Sequence, residues 1–166
     1  MFAIIRLFWQ ICQFNKGPQD VPASIWMYGV AVSCYMLVSL LISNMAMNWE
    51  QAITNSLLGF MLLLGYVWVV LKWNNKLDRF YPTATALLGT DALITLVSSV
   101  VFIAVTLKLQ PGVAFLFFVL LMIWDWAVMA NILRLALSSS MAIGLALATV
   151  FYLGSFELLE LISGGK

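Results

Sequence analysis

Histidine is missing from all 166 residues of this chain. Its absence removes the commonest metal ligand and the usual general base, and with them the ordinary nucleophile–base pairs of hydrolytic enzymes. The two cysteines, Cys12 and Cys34, fit neither a zinc spacing nor a CxxC redox motif and are read as structural. Charge is scarce too, at 9% of residues against 64% hydrophobic, so a water-facing surface cannot be built. A net charge of +1 with no Lys/Arg cluster argues against a nucleic-acid partner. No metal, cofactor or catalytic residue is expected, and the chain is not expected to be an enzyme.

Five apolar stretches are present, at 25–43, 53–73, 85–107, 113–137 and 140–162. Each is about twenty residues long, enough to cross roughly 30 Å of hydrocarbon at 1.5 Å per residue. The expected fold class is all-α: a polytopic membrane bundle of five transmembrane helices filling residues 25–162, with a short tail at 163–166. The breaks at 44–51, 72–82, 108–112 and 138–140 are expected turns, the third a tight one at Pro111-Gly112. The shortness of the last predicts an antiparallel hairpin for the final two helices. No internal repeat supports an inverted-repeat transporter architecture.

Residues 1–14 interrupt an apolar run with Arg6, Gln10 and Gln13, spaced i, i+4 and i+7 along one narrow stripe. This predicts an interfacial amphipathic helix on the membrane plane, with Arg6 toward the headgroups. A sixth packed helix, or one buried against a partner subunit, is the alternative. Residues 15–24 form a Pro/Gly linker. Its Gly17, Pro18, Asp20 and Pro22 give either a stiffened turn or a contact for a protein partner.

Polar groups inside the spans are the candidate functional residues. Asp91 lies in the third span and Asp125 in the fourth, at similar depths, with Asn131 and Arg134 further along the fourth. An ionised carboxylate at such a depth costs at least about 2.5–3.5 kcal/mol, so it must pair, face water or take a proton. In one reading the four residues form an ion- or proton-binding cluster, and Thr90, Thr95, Ser98 and Ser99 line a polar path. In the other they fasten helices together, with Arg134 as the expected partner of Asp91 and Trp or Ser/Thr donors serving Asp125. Gly144 and Ala148, four apart, are read as close-packing positions, as are Gly59 and Gly65. Glu157 and Glu160 are read as interfacial and solvated.

Lys/Arg counting sets the orientation. With the N-terminus inside, the cytoplasmic face carries Arg6, Lys16, Lys72, Lys76, Arg79 and Arg134, and the other face only Lys108 and Lys166. The expected location is a bacterial inner membrane, with a cytoplasmic N-terminus and a periplasmic C-terminus.

The strings FNKGPQDVPAS, TALLGTDALI and WDWAVMANILRLAL, set in a five-span layout, resemble the small Yip1-like inner-membrane proteins of proteobacteria. The resemblance implies five spans and an N-in orientation, and carries no catalytic residue with it. The expected function is a non-enzymatic membrane subunit that anchors, organises or assembles a larger complex. Its partners would be the lipid bilayer and other membrane subunits or further copies of the chain. The alternative is a small ion- or proton-coupled transporter or channel built on Asp91, Asp125 and Arg134.

Overall fold

A computed structural model describes residues 2–106 and 111–163, and among these residues every regular element is helical. Six α-helices follow in order: α1 Phe2–Cys12, α2 Ile25–Ala46, α3 Trp49–Trp73, α4 Phe80–Thr106, α5 Pro111–Leu137 and α6 Met141–Ser163. The last five are each long and apolar enough to cross a membrane. The protein is therefore a multi-pass membrane protein. Lys108, Lys166, the tail beyond Ser163 and the side chain of Glu160 lie outside the described residues.

The helices run further than the apolar stretches alone suggest. Phe80–Pro82, expected in a connection, begin α4, and the break between α3 and α4 shrinks to a 3-10 turn at Leu77–Arg79 and its flanks. Pro111-Gly112 is not a turn but the start of α5. Proline suits a first helical position, where its fixed φ is already helical and its missing N–H would have no partner.

Three chain reversals close in the same way, two of them at one end of the bundle. After α1, α3 and α5 a residue takes positive φ: Phe14 at 64°, Asn75 at 54° and Ser138 at 50°. The following amide then bonds back across the helix end, Asn15 to Gln10, Lys76 to Leu71 and Ser139 to Arg134, at 3.0, 2.9 and 2.9 Å. This is the Schellman closure, made here without glycine. The α3–α4 connection supplies cations to the exposed carbonyls of α5. Lys76 Nζ donates to the Leu137 carbonyl, and Arg79 Nη1 donates to the Ala136 carbonyl at 3.0 Å and to Ser138 Oγ at 2.9 Å. Positive charge at a helix C-terminus is favourable for the dipole. Lys16, Lys72, Lys76, Arg79 and Arg134 all collect at this basic end.

α4 is the central helix, packing against α1, α2, α3 and α5. Its residues 83–90 are all buried, and most are Thr, Ala or Gly, which let neighbours approach closely. α5 and α6 form the expected antiparallel hairpin, closest at Gly144. A Cβ there would run into the Ala130 carbonyl and lie 3.0 Å from Arg134 Cβ. Ala148, one turn on, is fully buried. α3 and α6 are held together by Tyr66, whose hydroxyl donates to the Leu147 carbonyl at 2.6 Å while its ring meets Phe151. The outer faces expose large apolar side chains such as Trp26, Met61, Val100, Phe115 and Phe156, as lipid contact requires. Trp73 near the basic end and Trp49 at the far end sit where aromatic belts occur.

α1 has 11 residues, about 16 Å, too short to span a bilayer. It packs on α4 and α5 through Phe8, Ile11 and Cys12, all buried, while Arg6 and Gln13 are exposed. Phe8 lies on Gly89 of α4, where any side chain would displace its ring. Trp124 of α5 donates its indole N–H to the Cys12 carbonyl at 3.0 Å and meets Trp9 edge to face. The linker then folds against α4 and α5. Asp20 accepts the Gly17 amide at 2.9 Å, and Pro18 and Val21 are buried. Pro22 lies at the rim beside Met27.

Candidate functional site

Four helices each place one polar group at the same level. Tyr35 on α2, Asp91 on α4, Asp125 on α5 and Tyr152 on α6 lie ten to twelve residues from the basic ends of their helices. That is about 15–18 Å at 1.5 Å per residue, the middle of a bilayer of roughly 30 Å. All four line one cavity of about 310 Å³, which also touches Gly59, Thr90 and Ser155, so every spanning helix contributes to its wall. Tyr152 is 37% exposed and Phe156 67%, so the cavity reaches the outer surface on the α6 side.

The two aspartates are close enough to interact electrostatically. Tyr152 Oη donates to Asp125 Oδ2 at 2.6 Å, a charge-assisted length if the carboxylate is ionised. Asp91 takes its hydrogen bond from Thr95, one turn along α4. A second cavity of about 40 Å³, walled by Tyr35, Ser39, Asp91 and Thr95, has room for a water molecule. Beyond it, Ser39 donates to Ser56 of α3 at 3.0 Å.

Arg134 is not brought to Asp91. It lies three residues from the end of α5, where its Nε donates to Asn131 Oδ1 at 2.8 Å, and it lines a different cavity at the basic end. Depth decides this: Asp91 is about two helical turns further into the bundle than Arg134. Asn131, fully buried, is likewise engaged with Arg134 and not with the acids. Of the proposed polar path, Thr90 and Thr95 border the cavities. Ser98 and Ser99 instead donate to their own helix carbonyls, Ile94 at 2.8 Å and Leu96 at 2.7 Å. Asp125 receives its bond from a tyrosine, where Trp, Ser or Thr donors were expected. The neighbouring Trp126 donates to Thr149 Oγ1 at 3.2 Å.

Tyr35 and Tyr152 escaped the sequence argument. The available signal was a tyrosine ten or eleven residues inside an apolar span, away from the interface. Its hydroxyl needs a partner there. Cys12 of α1 lies near Asp125 without lining the cavity. Burial, with the nearby Asp125 carboxylate, pushes its thiol up to about 12.

No protein-family model, curated protein or solved structure matches the chain.

Proposed function

We propose that the protein is a small proton- or cation-coupled membrane carrier whose binding site is the Asp91/Asp125 pair. The observation that supports this is the convergence of two carboxylates and two tyrosines on one mid-bundle cavity, with the nearest arginine of α5 committed elsewhere. Two negative charges at that depth are costly unless a proton or cation is held between them. Thr95 and Tyr152 orient the carboxylates, and Tyr35 faces both. In this reading Arg134 leaves the site and Tyr35 and Tyr152 join it.

The test is reconstitution into sealed vesicles with a trapped pH dye, under an imposed potential, in sodium, potassium or impermeant buffer. Proton or cation flux should exceed that of protein-free vesicles. Asp91→Asn and Asp125→Asn should each abolish it while folded yield is retained. Flux equal to the protein-free control rejects the carrier.

A second reading, the membrane subunit, is favoured by the first half of α5. There Val113, Phe115, Leu116, Phe117, Phe118 and Leu120 expose large apolar side chains around the helix, a surface that another membrane protein could cover. The five-span layout and the Yip1-like strings agree with either reading. The clustering of cations at one end supports an N-terminus facing the cytoplasm of a bacterial inner membrane. α1, with Arg6 exposed and its last turn against Trp124 beside Asp125, belongs to this proposal as a short helix that enters the bundle from the headgroup region.

A further inference from the structure

The basic end holds a second cavity, of about 440 Å³, between the linker, the start of α4 and the α5–α6 turn. Its volume far exceeds the roughly 30 Å³ share of one water molecule in the liquid. Two guanidinium groups line it, Arg79 and Arg134. Their hydrogen bonds to the Ala136 carbonyl, Ser138 and Asn131 occupy Nη1 of the first and Nε of the second. Each planar fork keeps further N–H donors for an oxyanion.

Two hydroxyls in the same wall are unsatisfied. Thr83 Oγ1 and Ser139 Oγ are the side-chain oxygens buried without a hydrogen-bond partner among the described residues, and both residues line this cavity. Thr83 is 1% exposed. The other α4 hydroxyls behave differently: Thr85 and Thr90 donate to the carbonyls of Tyr81 and Ala86 at 2.7 and 2.8 Å. A threonine in a helix normally has that bond open to it, and a buried hydroxyl that forgoes it loses the compensation for its desolvation.

We propose that this cavity binds a phosphate group, held by the Arg79 and Arg134 forks and by hydrogen bonds from Thr83 and Ser139. The donor set is what an anionic phosphodiester or free phosphate requires: planar cations for two oxygens, and neutral donors for the others. Its position at the end of the spans is headgroup level, so a phospholipid and a soluble phosphate can both reach it.

The test uses the full chain in a non-ionic detergent. Phosphatidylglycerol and phosphatidylcholine are titrated separately and followed by native mass spectrometry. Inorganic phosphate is titrated by calorimetry. Arg134→Gln and Thr83→Val should each weaken the bound anion about tenfold, and Thr83→Ser should restore it. Arg79 is left intact because it also caps α5. Variant-sensitive binding of phosphatidylglycerol alone identifies a lipid headgroup. Variant-sensitive binding of inorganic phosphate that competes with it identifies a free anion. Either supports the site. The proposal is overturned if neither probe binds, or if both bind equally to the wild type and the variants. It is also overturned if Thr83→Val raises the melting temperature while leaving anion affinity unchanged, which would mark the hydroxyl as merely unpaired.

Discussion

Single glycines separate tight from loose contacts in this bundle. At Gly144 a methyl group would meet the Ala130 carbonyl, part of a helix backbone that cannot swing aside. At Gly65 nothing lies within 4 Å of the same methyl. Gly144→Ala should therefore destabilise by about 1–3 kcal/mol, the usual cost of overpacking. Gly65→Ala should be neutral or stabilising by up to about 1 kcal/mol, through helix propensity and lost unfolded-state freedom. Denaturant titration of both variants in one detergent checks the pair, and equal effects would contradict the packing described. Both aspartates are legible in the sequence because a carboxylate stands out in an apolar run. The tyrosines are not, since a tyrosine is also at home in a lipid-facing or interfacial position. Charge complementarity suggested pairing Asp91 with Arg134, but distance along the two helix axes overrules it.

Among the elements, the spans are legible because membrane thickness fixes their length. The docking of α1 is not, because its seat is Gly89, far along the chain on a different helix. That docking makes Cys12 inert. Its thiol is buried and raised from the ordinary value to about 12, so at pH 8 it is neutral, and the nucleophilic thiolate forms only as pH approaches that value. A water-soluble maleimide at pH 8 should leave Cys12 unlabelled, as peptide mapping would show. Gly89→Leu, which drives Phe8 out of its seat, should expose Cys12 to labelling. Rapid labelling of the wild type at Cys12 would mean that α1 is not held where it is described. Cys34, exposed on α2 one residue from the mid-span Tyr35, faces lipid and should stay unlabelled in both proteins, so any new label reports Cys12.

For the whole molecule, the number of spans follows from hydropathy, and the hairpin order from short connections. The parallel contact of α2 with α4 does not, because it joins non-consecutive helices, with Tyr28 edge to face on Tyr81 and Tyr35 and Ser39 beside Asp91 and Thr95. The proposed orientation rests on the cations gathered at one end. Reporter fusions after Lys16 and after Arg79 should read cytoplasm, and one after Lys166 the opposite face. Two faces that disagree with this pattern would reverse the orientation or change the number of crossings.

The shared depth of Asp91 and Asp125 has an electrical meaning. About 15–18 Å separates them from the basic end, close to half of a membrane of roughly 30 Å. A unit charge reaching the pair from either face falls through about half of the transmembrane voltage. That is about 1.2 kcal/mol per 100 mV, enough to change occupancy several-fold. Under the proposed carrier, occupancy of this pair is thus tied to membrane potential as well as to the composition of the two solutions.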